Sequence, residues 1–329
     1  MGVVVITGAG AGVGRATARA FARRGYDVAL IARDEDRLQA AADEVRALGR
    51  RPLVLPLDVA DAQAVEAAAE RTEDELGPID VWVNGAMTST VAPVDQVTSD
   101  EIQRVTDVTY LGTVHGTQAA LRRMRLRDRG VIVQIGSGLA YRSVPLQSAY
   151  CGAKAAVRGF TDSIRCELLH DRSRVRITMV HLPAVNTPQF SWVRSRLPRA
   201  MQPLPPVYQP EVAAEAIVWV AEHPRRELLV GWQTWLGVLG QSLMPGVMDR
   251  YLADRAWEGQ MSDDPARPGS PDSLDEPVAA NVGAHGAFDD MASDVSPLLW
   301  ADTHRGVLAA VGLGAAALAV TAARTIRRG

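Results

Sequence analysis

Tyr150 and Lys154 stand four residues apart, a spacing that sets phenol and ammonium on one face of a helix, where the cation stabilises a phenolate. Such a pair can work as a general acid and base. Ser137, thirteen residues before the tyrosine, adds a hydroxyl able to orient a carbonyl oxygen. The local sequence supplies elements to hold all three. Val131-Ile132-Val133-Gln134-Ile135 reads as a buried strand that ends in the small-residue turn Gly136-Ser137-Gly138. After a loop containing Pro145, Ser148 is the expected N-cap of the helix that carries Tyr150 and Lys154. A Tyr-x-x-x-Lys pair alone recurs by chance on many helices, so the rest of the chain must decide its meaning.

The chain opens on a short apolar strand, Val3–Ile6, followed by Thr7–Gly14 (TGAGAGVG) and a helix from about Arg15 to Arg24. Gly8, Gly12 and Gly14 make a turn that lets backbone amides approach a pyrophosphate, and the helix N-terminus favours anionic oxygens. A second strand, Val28–Ala32, ends at Arg33. At that place an acidic residue suits the ribose hydroxyls of NAD and an arginine suits the 2′-phosphate of NADP, so NADP(H) is favoured, with the adjacent Asp34 as a complication. Asp58-Val59 follows the third strand, Leu53–Leu57. Val81–Val83 is the fourth and runs into Asn84-Gly85-Ala86-Met87. Thr98-x-x-Glu101 is a capping box for one long helix over roughly 99–125, and Val175–Val180 is a further strand leading to Thr187. Strands alternating with helices at these lengths predict an α/β fold, a doubly wound parallel sheet of Rossmann type with helices on both faces.

Over Val3–Gly231 the chain resembles the short-chain dehydrogenase/reductase family. The motifs that carry the resemblance are Thr7–Gly14, Asp58 after the third strand, Ser137 and Tyr150-x-x-x-Lys154. The resemblance implies hydride transfer between an alcohol and a carbonyl with NAD(P). Tyr150 would exchange the proton, Lys154 would lower its pKa and hold the nicotinamide ribose, and Ser137 would position the substrate oxygen. Thr7, Gly8, Gly12, Val13, Gly14, Arg33, Asp58, Val59, Asn84 and Thr187 would serve the cofactor, together with Tyr150 and Lys154. The chain departs from the family pattern at three places. Asn84-Gly85-Ala86-Met87 stands for Asn-Asn-Ala-Gly, Pro183-Ala184 for Pro-Gly, and Thr109 for the usual Asn before a leucine-x-glycine. The last touches the proton relay, and Thr109 is expected to hold a water beside Lys154 with its single hydroxyl. Dimers or tetramers follow by family analogy alone.

Gln189–Tyr208 has the composition of a flexible lid, in which Phe190, Trp192 and Leu197 are either a substrate wall or ordinary packing. Residues 232–257 are apolar and aromatic, with three readings open: core packing, the active-site mouth, or a membrane surface. Residues 258–304 contain a run to Trp300 with nine acidic residues against Arg267 alone, and this range is expected to be a disordered linker. Gly306–Ala323 carries no charge and would be about 27 Å long as a helix, the lower limit for crossing a bilayer. Spanning would set Arg324, Arg327 and Arg328 outside, against the positive-inside tendency, whereas a surface-lying helix escapes that conflict. The expected organisation is therefore a catalytic domain over 1–231, the apolar extension 232–257, the linker 258–304, and an apolar tail, 305–329.

The near balance of 35 Lys+Arg against 38 Asp+Glu gives no footprint for nucleic acid. The six histidines show no ligand spacing with the two cysteines, so no metal is expected. Cys151 and Cys166 fall on one helix, roughly 22 Å apart, too far to bridge. An apolar strand follows Met1-Gly2 at once, so the domain is expected in the cytoplasm. The leading function is an NADP(H)-dependent oxidoreductase for a small or lipophilic carbonyl or alcohol. The rival is a non-catalytic NADP(H)-binding sensor or tether, kept open by Thr109 and the tail.

Overall fold

Seven strands form one parallel sheet in the computed structural model, which describes residues 2–266, 269–280 and 282–306. In chain order they are β1 (Val3–Thr7), β2 (Asp27–Ala32), β3 (Pro52–Pro56), β4 (Ile79–Asn84), β5 (Val131–Ser137), β6 (Arg176–Leu182) and β7 (Glu227–Leu229). Their spatial order is β7-β6-β5-β4-β1-β2-β3. The chain thus winds outward in both directions from the β1/β4 boundary, and the crevice at the carboxyl ends of these two strands is where such a sheet binds ligands. This is the doubly wound Rossmann-type fold that the alternating pattern predicts.

Period-two alternation within the strands divides the core into two layers. Val4, Ile6, Val28, Leu30, Val81 and Val83 face α1 (Gly12–Arg23) and α2 (Glu35–Ala47). Val5, Ala29, Ile31, Leu53, Trp82 and Ile132 face α3 (Ala62–Leu76) and the helices that follow. The long helix expected over 99–125 is broken in the middle. It consists of α4 (Ser99–Val105), a π-helical turn (Thr106–Leu111) and α5 (Gly112–Arg127). The Thr98/Glu101 capping box opens it as expected. Next comes α6 (Ser148–His170), whose N-cap is Gln147, one residue before the serine expected there. Cys151 and Cys166 both lie on α6 and are free thiols.

The lid region is more regular than its composition suggests. After a single helical turn, Gln189–Trp192, the pieces Arg194–Ser195, Arg199–Met201 and Val207–Tyr208 each pair in a small ladder. The chain then forms α7 (Pro210–Glu222), α8 (Trp232–Leu243) and α9 (Pro245–Gly259). Over 258–304 the expectation of a disordered linker fails for the described residues. Met261–Pro265 pairs antiparallel with Arg199–Met201, Ala292–Ser293 pairs with Val207–Tyr208, and Pro297–Thr303 is a short helix, α10. The physical reason is that the main domain supplies what this segment lacks. Leu274, Ala284 and Leu299 are buried against it. The acidic excess is met by arginines: Arg194 pairs with Asp272 and Asp275, and Arg225 with Asp302. Among the described residues, no helix is long and apolar enough to cross a membrane. The apolar tail beyond Gly306 lies outside them.

Candidate active site

Ser137 ends β5, and its Oγ accepts the Leu139 amide at 3.1 Å, which fixes the hydroxyl at the sheet's carboxyl edge. Behind it, His181 Nδ1 donates to the Ser137 carbonyl at 3.1 Å, and His181 Nε2 lies 3.3 Å from the Glu227 carboxylate. The Tyr141 hydroxyl also donates to Glu227. The adjoining His181 ring and Tyr141 hydroxyl outweigh burial and hold the Glu227 carboxyl down at about 2.

From α6, Lys154 reaches the same edge. Its Nζ donates to the Ile135 carbonyl of β5 at 2.7 Å and lies 5.7 Å from the centroid of the Tyr150 ring. The side chain is 3% exposed, and this burial pushes the ammonium down to about 8. Burial pushes the Tyr150 phenol upward, and the neighbouring Ser137 hydroxyl acts against that shift. A phenol that resists ionisation keeps its proton at neutral pH, and beside a cation and a hydroxyl it has the chemistry of a general acid. Gln147, at the head of α6, donates to Gln260 Oε1 at 2.6 Å, so the extension braces the helix that presents Tyr150.

Ser137, Tyr150 and Lys154 line one cavity of about 870 Å³ with Gly8, Gly12, Val13, Gly14 and Thr187. The glycine turn fits an anionic ligand. The N-cap of α1, Ala11, provides no side-chain cap, and the first turn holds no acidic residue, so the field of the helix terminus is uncompensated by side chains. Gly12 has φ +54°, and a Cβ there would sit 3.2 Å from the Thr187 methyl, so glycine keeps this wall close without strain.

Other residues expected at the cofactor are engaged by protein partners. The Thr7 hydroxyl accepts the amides of Gly85 and Ala86 at 2.9 and 3.1 Å, tying β1 to the end of β4. Asn84 points into the core: Oδ1 accepts from Trp82 Nε1, while Nδ2 donates to Thr117 and Gln134. Gly116 on α5 is required there, since a Cβ would fall 2.2 Å from Asn84 Oδ1. Both residues shape the crevice through the backbone they hold. Asp58 ion-pairs with Arg104 and accepts the Ala60 amide; these contacts outweigh burial and keep its carboxyl below the usual range. Val59 is buried, and its carbonyl faces His115 Nδ1 at 2.9 Å. Arg33 stands at the end of β2, but its guanidinium donates to the carbonyls of Ser273, Leu274 and Asp275.

Thr109 lies in the π-helical turn, and the water-holding part expected for its hydroxyl does not fit its contacts. The side chain is 0% exposed; Oγ1 donates to the Thr88 carbonyl at 3.0 Å and accepts the Thr88 amide at 3.1 Å. Its one proton is therefore committed to clamping the strand-to-loop passage after β4.

The sequence reading missed Arg37 and Arg104, which gather with Arg33 around the end of β2. Their signal was positive charge near a predicted ribose site, but Arg104 stands more than seventy residues away in sequence. Of the three readings open for residues 232–257, the structure shows Trp232, Leu236, Met248 and Tyr251 at the cavity wall, with Phe190 and Trp192 from the lid.

The family model for the short chain dehydrogenase matches residues 2–197. The chain belongs to the short-chain dehydrogenase family. It is an oxidoreductase with a nucleotide-binding Rossmann fold of a kind that uses NAD(P). An uncharacterised oxidoreductase of Bacillus subtilis, YxnA, is 33% identical over 287 residues, covering 86% of this chain and 79% of its own length. The match therefore runs past the family model into the extension. The Mycobacterium tuberculosis oxidoreductase SadH is 38% identical over 185 residues, 56% of this chain and 67% of its own. Among solved structures, an alcohol dehydrogenase of Thermococcus sibiricus complexed with 5-hydroxy-NADP superposes with a TM-score of 0.62 at 28% identity. The match covers 96% of that enzyme but 70% of this short-chain dehydrogenase, so the extension adds to the ordinary domain.

Proposed function

We propose that this short-chain dehydrogenase interconverts a lipophilic carbonyl compound and its alcohol, with NADP(H) favoured over NAD(H). The observation that carries the reading is that Ser137, Tyr150 and Lys154 open into the same cavity as the glycine turn. When bound, the dinucleotide supplies or accepts the hydride. The chain's own residues do the rest. Gly12, Val13 and Gly14 would hold the pyrophosphate, with Thr187 beside them. The Ser137 hydroxyl orients the substrate oxygen. Tyr150 gives that oxygen its proton in reduction and takes it back in oxidation, while the Lys154 ammonium offsets the charge left on the phenol. Phe190, Trp192, Trp232, Leu236 and Met248 give the cavity an apolar wall that excludes water and suits an apolar substrate body.

NADP(H) is supported by the charge at the end of β2. Arg33 and its neighbours Arg37 and Arg104 concentrate positive charge there. The nearby carboxylate of Asp34 is engaged, capping α2 through the Arg37 amide at 2.8 Å and pairing with the Arg37 guanidinium at 3.2 Å. An acid so held is poorly placed to take ribose hydroxyls. The experiment is NADPH and NADH oxidation with a panel of aldehydes, ketones and quinones of rising chain length. Turnover that prefers NADPH and longer apolar substrates is expected. Cofactor binding without turnover of any of them would favour the nucleotide-sensor alternative.

A further inference from the structure

The acidic extension returns to the end of the cofactor crevice opposite the catalytic residues. Arg33 donates to the Ser273 carbonyl at 2.6 Å and to the carbonyls of Leu274 and Asp275. Arg104, whose other donor holds Asp58, gives Nε to the Leu274 carbonyl at 3.1 Å. The Leu274 side chain is 1% exposed and packs in a cluster with Val105 of α4. Arg194 clamps the segment from the lid, 2.8 Å from Asp272 and 2.7 Å from Asp275. Further on, the Gly283 carbonyl accepts the Gly12 amide at 3.1 Å, at the opening of α1, and Gly286 donates to the Asn186 carbonyl at 3.2 Å. The segment thus engages the Arg33 guanidinium at the 2′-phosphate position, the surroundings of Asp58, and an amide of the glycine turn. These are groups that an adenosine phosphate would use.

We propose that the described residues 272–280 and 282–286 are an internal competitor for the adenosine end of the dinucleotide site, and that cofactor binds by displacing them. The proposal rests on the NADP(H) reading above and adds its regulation. A row of backbone carbonyls stands in for phosphate oxygens on Arg33, and the Gly283 carbonyl stands in for one on the Gly12 amide. Because the segment belongs to the same chain, the competition is intramolecular. It lowers apparent affinity by the fraction of molecules in which the segment is released. Cofactor would in turn free the lid, because Arg194 joins both pieces.

The test is calorimetric titration of the full-length protein and of a full-length variant carrying Asp272→Ala, Leu274→Asp and Asp275→Ala. The probes are NADPH, adenosine 2′,5′-bisphosphate and nicotinamide mononucleotide. Releasing the segment should tighten the first two by about 10- to 100-fold and leave the third, which does not reach Arg33, unchanged. Equal or weaker binding of adenosine 2′,5′-bisphosphate by the variant overturns the proposal while leaving the cofactor reading in place. If NADPH binds neither protein, the NADP(H) reading itself falls, and the competitor with it. Hydrogen exchange on the unaltered protein gives an answer even where the variant fails to fold. Saturating NADPH should speed exchange of amides in 272–286, and protection of those amides would contradict displacement.

Discussion

Lys154 Nζ is fastened to the Ile135 carbonyl at 2.7 Å, on the strand that ends two residues later in Ser137. The bond joins the two elements of the site, α6 and β5, and holds a buried cation at the cavity wall. Burial sets its titration at about 8, against 10.5 in an open chain. Between these values the unfolded chain binds more protons than the folded one, so this residue's contribution makes stability rise with pH across that window. Relative to Lys154→Met, the wild type should gain roughly 2–4 kcal/mol between pH 7 and pH 10.5, measured by urea unfolding. A stability difference that is flat over this range would contradict a buried ammonium.

The same titration bears on catalysis. Below about 8 the ammonium is charged and supports loss of the Tyr150 proton. Carbonyl reduction under saturating substrate should therefore decline as pH rises through that value. A profile level from pH 7 to pH 10 would mean that the Lys154 charge is not used.

Thr109→Val removes a hydroxyl that both accepts the Thr88 amide and donates to its carbonyl in a fully buried place. The expected cost is about 1–3 kcal/mol of stability. Turnover should fall uniformly with pH because the Thr109 proton is already engaged by Thr88. An additional loss confined to alkaline pH, with stability unchanged, would return this hydroxyl to the proton relay.

Glu227 is held at about 2 by His181 and Tyr141, far below 4.5 in an open chain. Its depressed pKa adds stability above pH 4.5 that is lost as pH falls toward 2. Glu227→Gln should flatten the fall in stability over that interval, by roughly 1–3 kcal/mol. Because His181 carries this network to the Ser137 carbonyl, turnover at neutral pH should drop as well. A variant with the parental acid profile would show that the carboxylate is not held as described.

The strand–turn–helix opening, the doubly wound sheet and the Ser137/Tyr150/Lys154 grouping were legible because each depends on short-range spacing. Side-chain direction was harder to read. Asn84 stands two residues after Trp82 and so shares its face, toward α5, whereas its place in the motif points to the cofactor. Thr109 sat at the expected place, but its partner Thr88 is brought close by the π-helical turn, which no periodicity announces. The order of the extension is hidden from its sequence for a different reason. Its acidic composition argues against a core of its own, and the partners that order it, Arg33, Arg104 and Arg194, are 78 to 242 residues distant. Composition registers charge within a segment and says nothing of the charge it will meet.

If Tyr150 donates the proton without holding the dinucleotide, the two roles separate when its hydroxyl is removed. The direct measurement is Tyr150→Phe, with NADPH binding by titration and reduction of the best substrate from the panel measured on one preparation. NADPH should bind within about threefold of the parent, and turnover should fall by roughly 10²- to 10⁴-fold. Near-parental turnover in the phenylalanine variant would contradict the assignment and move the acid to another group in the cavity.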